Sequence, residues 1–246
     1  MHRLEQWRND FGVLRQMLRG MPRDMDHAAR LQAFYAPQAA HYDDFRDRLL
    51  PGRAELVRRL PLPENARVIE LGGGTGRNLD FFGPRLNRIE SIEIVDLCPA
   101  LLELTQARAQ HRPQVRIIEG DATSYRPQSP VDCVYFSYAL TMIPNWRDAL
   151  ANACKMLKPG GALGVVDFYV APSQPASGRA RHGALERVFW RRWFAHDGVR
   201  LNPEHLLTLE QMFPRHETFE SRAPVPYLPG IRVPYYIFVG CKTGAG

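Results

Sequence analysis

Hydrophobic and polar positions change their period along this chain. Near the start, Leu4, Trp7, Phe11, Leu14 and Leu18 recur at steps of three and four, with Arg3, Arg8, Arg15 and Arg19 between them. That spacing predicts a helix with one apolar face, either packed on the main body or lying on a membrane surface. Residues 27–60 also read as helical, interrupted at Pro37 and Pro51 and stopped by Pro61 and Pro63. From Arg67 short apolar runs alternate with helical stretches. Strands are predicted at Val68–Leu71, Ile92–Val95, Val115–Ile118, Val131–Phe136 and Ala162–Val166, and helices near Asn78–Phe82, Ala100–Gln110 and Trp146–Leu157. This alternation argues for an α/β fold, a doubly wound parallel sheet covered on both faces. Lys158-Pro159-Gly160-Gly161 reads as a stop between the last of these helices and the fifth strand. Beyond a loop at Pro172–Gly178, the run Leu185–Phe194 is dense in aromatic and basic residues, and Pro234–Gly240 suits a final strand. The expected organisation is an N-terminal helical lid (1–60), an α/β core (61–170), and a substrate-facing helical insertion with the last strands of the sheet (171–246).

Composition narrows the class. The 246 residues are 45% hydrophobic and 24% charged, an ordinary globular balance able to bury a core unaided. Cys98, Cys133, Cys154 and Cys241 form no CxxC pair, which argues against zinc or a disulfide framework and suits a reducing compartment. No metal is expected. No apolar stretch has transmembrane length, and no secretory leader pattern precedes the helices. The expectation is a cytoplasmic protein. A net charge of +6 favours anionic partners. The charge is spread out and not gathered into a stripe, so no nucleic-acid partner is expected.

The chemistry concentrates where predicted strands end. Val68-Ile69-Glu70-Leu71 runs into Gly72-Gly73-Gly74-Thr75-Gly76, a turn whose missing side chains let backbone approach a ligand. Asp96 ends the second strand, placed to accept from ribose hydroxyls and to repel a phosphorylated ribose. Asp121-Ala122 ends the third and Ser137-Tyr138-Ala139-Leu140 the fourth. Any one of these could be a plain turn or helix cap; four in this order point to a cofactor at the carboxyl edge of the sheet. The glycine spacing, preceded by Glu70, resembles the ExGxGxG signature of class I methyltransferases more than a dinucleotide fingerprint. That resemblance implies a seven-stranded, mostly parallel, Rossmann-like sheet and S-adenosylmethionine as cofactor, with S-adenosylhomocysteine as product. It implies cofactor contacts at Glu70, Gly72, Gly73, Gly74, Gly76, Asn78, Asp96, Leu97, Asp121, Ala122, Ser137 and Tyr138. The [DNS]PP[YFW] motif of enzymes that methylate exocyclic amines of nucleic acids is replaced here by Ser137-Tyr138-Ala139-Leu140.

Further segments resemble a narrower family. Ile69–Asn78, Val95–Pro99, Tyr138–Pro144, Gly164–Val170, Phe189–Phe194 and Pro234–Ile237 together look like the N-methyltransferase of betaine-lipid synthesis. The Asp167-Phe168-Tyr169-Val170 and Trp190–Phe194 segments are the specific ones. The resemblance implies three successive methylations of the amine of diacylglyceryl-homoserine at a membrane surface, on the inner face of the membrane. Its functional partner would be the aminocarboxypropyl transferase that makes that lipid. The attacking amine must be neutral, so each round releases a proton, and aromatic faces suit an ammonium whose charge becomes fixed. The catalytic candidates are Tyr42, Tyr138, His41 and Asp167, the last two as titratable groups. The substrate candidates are Tyr35, Tyr169, Arg181, Arg191, Trp193, Tyr235 and Tyr236, although on a strand only one of the paired tyrosines can face any one side. A small soluble or quinone-like acceptor, or a non-catalytic cofactor-binding subunit, is the competing expectation.

Overall fold

The computed structural model describes Met21 and residues 25–37, 42–225 and 228–244. Three helices come first: α1 (His27–Tyr35), α2 (Tyr42–Leu49) and α3 (Arg53–Arg59). The helix expected over the first twenty residues and the side chain of His41 lie outside the described residues. Next come β1 (Ala66–Leu71), a 3-10 segment (Arg77–Arg88), β2 (Ile89–Asp96), α4 (Pro99–Ala109), β3 (Val115–Glu119) and β4 (Val131–Ser137). A short 3-10 turn (Leu140–Met142), α5 (Trp146–Met156) and β5 (Leu157–Phe168) follow. The last elements are α6 (Ala184–Ala195), α7 (Glu204–Met212), β6 (Arg215–Val225) and β7 (Leu228–Cys241).

One seven-stranded sheet runs in the order β3-β2-β1-β4-β5-β7-β6. Strands β1 to β5 are parallel, and β7 lies antiparallel between β5 and β6. The chain winds outward from β1 in one direction and from β4 in the other, and a crevice opens at that switch point, beyond the carboxyl ends of the strands. The central strands are covered on both faces, so β4 reads largely as an apolar run, and Glu70 of β1 and Glu93 of β2 are buried despite their charge. Alternate residues feed two cores. Val68, Tyr135, Val166 and Ile237 face α3 and α6, whereas Ile69, Phe136, Val165 and Phe238 face α5 and α7. A smaller cluster of Leu31, Phe34, Tyr35, Cys98 and Leu101 holds α1 on α4, beside the crevice.

Two local expectations change. The helix expected at Asn78–Phe82 is 3-10 and breaks at Gly83, whose φ is +52°, because Pro84 disfavours helical backbone in the residue before it. β5 begins earlier than the apolar run suggests. Gly160, at φ +78°, bends its start so that Gly160 N–H donates to Lys242 O at 2.9 Å while Lys242 N–H donates to Gly161 O at 2.8 Å. The insertion after β5 is helical, as expected, and β6 and β7 complete the same sheet.

Candidate active site

The crevice is lined on its sheet side by Glu70, Gly72–Gly74, Asp96, Leu97, Asp121, Ala122, Ser137 and Tyr138. The turn after β1 needs glycine for steric reasons. Gly72, Gly74 and Gly76 have φ of +72°, +54° and +65°, a region that costs residues with a Cβ. A Cβ on Gly72 would also come within 2.4 Å of the Ala139 methyl, and one on Gly73 within 2.4 Å of Ile94 Cγ2. Asp96 holds this turn in place: its Oδ2 accepts Gly74 N–H at 2.8 Å and its Oδ1 accepts Cys98 N–H at 2.9 Å. Burial pushes the Asp96 carboxyl above its ordinary range. Glu70 is buried beneath the turn, accepting from Asn78 Nδ2 at 2.5 Å and Tyr135 Oη at 2.8 Å. Burial raises its pKa to about 7 despite both hydrogen bonds. Asp121 Oδ1 accepts Thr123 N–H at 2.7 Å, and Asn152 fixes Ala122 through a 2.8 Å bond to its carbonyl.

Two polar atoms of this wall are buried with no partner in the protein: Ser137 Oγ and Asn78 Oδ1. Such groups are costly when left unpaired, and both residues line the crevice. Carboxylates at two strand ends, a backbone cradle that a Cβ would fill and these two open positions fit a nucleoside-bearing ligand.

Tyr138 sits at φ +55°, an uncommon conformation for an aromatic residue. It is held by its N–H on Val166 O at 2.8 Å, its hydroxyl on Pro51 O at 2.6 Å and its ring against Phe168, 4.6 Å between centroids. Strain of this kind collects at functional sites.

Asp167 is fully buried and does not line the crevice. Its carboxylate accepts Thr141 N–H at 3.0 Å, Thr141 Oγ1–H at 2.8 Å and Phe168 N–H at 2.8 Å. It therefore holds the turn that carries Ala139 and Met142 into the crevice, and burial raises its pKa to about 7.

The other named residues divide. Tyr35 lines the crevice, its hydroxyl donating to Met142 Sδ at 3.0 Å. Tyr42 lies on α2, with its side chain outside the described residues. Tyr169 is buried away from the crevice, its hydroxyl on Glu220 at 2.7 Å. Tyr236 is buried in the α5–α7 core, and Tyr235 faces the opposite core, over Gly52. Neither lines the crevice, nor do Arg181, Arg191 and Trp193, which are exposed on and before α6. Tyr235, Tyr236, Arg191 and Trp193 sit in the expected strand and helix, but their side chains turn away from the crevice.

Of the second wall, sequence reasoning named Tyr35 and missed the rest. His27, Leu50, Arg53 and Arg77 reach the crevice from α1, α3 and the chain around them. His27 Nδ1 is buried without a partner, and burial together with Arg30 holds the ring below its usual pKa, so it is neutral at pH 7. Arg53 is buried, donates to Leu50 O at 3.3 Å and pairs with Asp47. Asp47 also takes Arg77 at 2.8 Å, while Asp80 takes Arg77 at 2.6 Å, Arg112 at 2.8 Å and Arg108 at 3.3 Å. Four guanidiniums thus meet two carboxylates, and of these groups Arg53 and Arg77 line the crevice. Among the described residues, no cluster of His, Cys, Asp and Glu could hold a metal ion.

A family model described as a methyltransferase domain matches residues 41–218, well over half of the chain. The chain belongs to this methyltransferase family. The cofactor of the family is S-adenosylmethionine, and the residues at the strand ends suit its nucleoside and its sulfonium amino acid. The methyltransferase is 33% identical over 125 residues to trans-aconitate 2-methyltransferase of Variovorax paradoxus (strain S110), covering 50% of this chain and 46% of that protein. It therefore spans about half the length of such relatives. It is 25% identical over 199 residues to 2-phytyl-1,4-naphtoquinone methyltransferase of Thermosynechococcus vestitus (strain NIES-2133 / IAM M-273 / BP-1), covering 76% and 85%. The fold is shared with Haemonchus contortus phosphoethanolamine N-methyltransferase 2, with a TM-score of 0.70 at 15% identity, covering 90% and 61%. It is shared too with the N-methyltransferase NodS of Bradyrhizobium japonicum WM9, with a TM-score of 0.62 at 18% identity, covering 88% and 99%. The names of the first three relatives give trans-aconitate, a phytyl-naphthoquinone and phosphoethanolamine as acceptors.

Proposed function

We propose that this methyltransferase acts on the amine of an acceptor that also carries a carboxylate, and that the acceptor is diacylglyceryl-homoserine, methylated three times. The observation that carries the reading is the second wall. A buried arginine, Arg53, lines the crevice together with Arg77, Tyr35 and Tyr138, and both arginines share Asp47. A guanidinium is suited to a carboxylate, and aromatic faces are suited to an ammonium, so the two together match an amino-acid headgroup. The resemblance of Asp167–Val170 and Trp190–Phe194 to betaine-lipid methyltransferases supports the lipid.

When bound, S-adenosylmethionine supplies an electrophilic methyl group on sulfur. The protein's part is to place and to neutralise. Arg53 orients the acceptor carboxylate, which turns the adjacent amine toward Tyr138 and the end of β4, where alignment supplies much of the rate. His27, neutral and with an open Nδ1, is a group on this wall able to take the amine proton directly or through water. Asp167 does not line the crevice, and its oxygens accept from Thr141, so it is not placed to take the amine proton.

The relatives named for trans-aconitate favour a second reading, a small soluble polycarboxylate acceptor, for which the same arginines would serve. Mass spectrometry separates the two. Purified protein is incubated with S-adenosylmethionine and either detergent-dispersed diacylglyceryl-homoserine or trans-aconitate. Mass increments of one, two and three methyls on the lipid support the first reading; a single increment on trans-aconitate with none on the lipid overturns it. Arg53→Gln is expected to raise the acceptor KM about tenfold, the cost of one charged hydrogen bond. If it weakens S-adenosylmethionine binding instead, this wall serves the cofactor.

A further inference from the structure

We infer that the outward face of α6 is a docking surface for an anionic lipid bilayer, which the methyltransferase engages edge-on beside its crevice. This inference deepens the lipid reading above but rests on its own observation. Eight large apolar side chains are exposed among the described residues, and four of them lie within one helix: Leu185 at 87%, Val188 at 53%, Phe189 at 40% and Trp193 at 44%. Their spacing of three, one and four residues gathers them on one side of the helix. The opposite side is the one that packs: Trp190 and Phe194 are buried, with Phe194 stacked on Phe168 at 4.6 Å. Two large aromatic rings exposed beside leucine and valine form a patch that a monomeric protein rarely leaves to water without a use.

Charge chooses the occupant. Between Arg179 and Arg200 the chain carries six arginines against two acids, Glu186 and Asp197. That surplus is most of the net charge of the whole chain. Arg181, Arg191 and Arg192 are exposed around the apolar stripe. Phe189 and Trp193 pack on each other, 5.7 Å between centroids, so the stripe is ordered before it meets a partner. Guanidiniums that interleave with aromatic side chains on a surface helix match phosphate headgroups above an apolar layer. No helix among the described residues is long and apolar enough to cross a membrane, so contact through this helix would be interfacial.

The placement suits a lipid acceptor. Phe194, near the end of α6, stacks on Phe168, and Phe168 packs on Tyr138, which lines the crevice. Just past the helix, Arg200 N–H donates to Thr141 O at 2.8 Å, on the turn that carries Met142 into the crevice. α6 is thus joined to the crevice through two packed rings, so a protein docked through its outer face keeps the crevice near the bilayer.

The test uses the full chain with vesicles that contain no acceptor lipid, so that binding is read apart from turnover. Co-sedimentation with phosphatidylglycerol-containing vesicles, but not with phosphatidylcholine vesicles, is expected, together with a blue shift of tryptophan fluorescence that is absent from Trp193→Phe. Arg192→Glu combined with Trp193→Ser is expected to weaken binding about tenfold or more, since each basic residue and each inserted ring contributes separately. An unchanged melting temperature and unchanged S-adenosylmethionine binding would show that the variant is folded. Equal binding by the variant overturns the inference. So does a concentration-dependent dimer that Trp193→Ser dissolves, because a second copy of the chain would then own the face. Methylation of detergent-dispersed lipid by a protein that ignores vesicles would sink the docking surface and leave the acceptor assignment standing. Vesicle binding without any lipid methylation would do the reverse.

Discussion

One wall of the crevice, Glu70 to Asn145, is backbone turns and strand ends in chain order, whereas the other, His27, Tyr35, Leu50 and Arg53, is side chains on helices that precede the sheet. The first wall is positioned by strand register. Glu70 pairs across with Ile94 and Tyr135, and Asp96 pairs with Glu119, so their places follow once the sheet forms. The second wall is positioned by tertiary contacts, through the cluster that holds α1 on α4 and the ion pairs that tie Arg53 and Arg77 to Asp47. Under the proposed function, the contrast divides the tasks of the two walls. The rigid wall suits a cofactor common to the whole family. The packed wall can change with the acceptor.

The largest break in this contrast is expected at Gly72. Gly72→Ala combines left-handed backbone strain, of order 1–3 kcal/mol, with a 2.4 Å approach to the Ala139 methyl. Calorimetric titration should show S-adenosylmethionine affinity down about a hundredfold, with a lower melting temperature. Gly74→Ala is the control: its φ is also positive, but the nearest atom, Leu101 Cδ1, is 3.7 Å away, so a smaller loss is expected. Equal losses would mean that the overlap is irrelevant. Asp96→Asn ranks next. It keeps the shape and removes the charge that accepts Gly74 N–H and Cys98 N–H, and it should cost about tenfold in cofactor affinity. An Asp96→Asn protein that bound the cofactor normally would remove Asp96 from the cofactor wall.

This division also explains what could be read in advance. Strand ends carrying Glu70, Asp96, Asp121 and Ser137 announce themselves, because period, glycine and acidic residues are local properties of the chain. The seven-stranded sheet follows from the same signals. His27 and Arg53 carry no such mark. His27 follows an N-cap, Asp26, whose side chain accepts Ala29 N–H, and Arg53 opens a helix after Pro51-Gly52. Each reads as a routine helix start until α1 and α3 are packed on the carboxyl edge of the sheet. The Trp190–Phe194 run differs again: the helix is present, and Arg191, Arg192 and Trp193 are exposed and do not line the crevice. Asp167 was legible as a strand-end acid. That it turns inward onto Thr141 depends on the turn after β4, which no local pattern shows.

Among the smaller effects, the buried carboxyls should make stability depend on pH. Glu70 titrates near 7 in the folded chain, above its ordinary value of 4.5, because burial disfavours its charge. The folded state therefore holds the proton more tightly, so this contribution is fully present below pH 4.5 and is lost as pH rises toward 7. Asp167 behaves alike. The buried His205 has the opposite sign: its pKa falls to about 4, so its contribution is lost as pH drops below about 6.5. The trends overlap in the unmodified protein, so the difference between variant and parent is the cleaner reading. Glu70→Gln should gain stability relative to the parent as pH rises from 4.5 to 7, by ~3 kcal/mol at most, and should change no further above that. Urea midpoints at three pH values check this, and a pH-independent difference would show that Glu70 is ionised throughout.

The smallest effect is expected at Tyr35, and it tests the second wall most finely. The hydroxyl donates to Met142 Sδ, at 3.0 Å, and a thioether is a weak acceptor. The ring, edge-on to Phe34 at 5.0 Å, is fixed by packing and not by that bond. If Tyr35 serves the acceptor through its face, Tyr35→Phe should leave turnover within about twofold, while Tyr35→Leu should lose the cation–π attraction of ~0.5–2 kcal/mol. The Leu loss should also grow from the first methylation to the third, since the amine can shed its charge before a methyl is added but the trimethylated product cannot. Time courses of the singly, doubly and triply methylated products by mass spectrometry would resolve this. Equal losses in Tyr35→Phe and Tyr35→Leu would assign the effect to the hydroxyl and its hold on Met142, and the aromatic surface of the acceptor wall would then rest on Tyr138 alone.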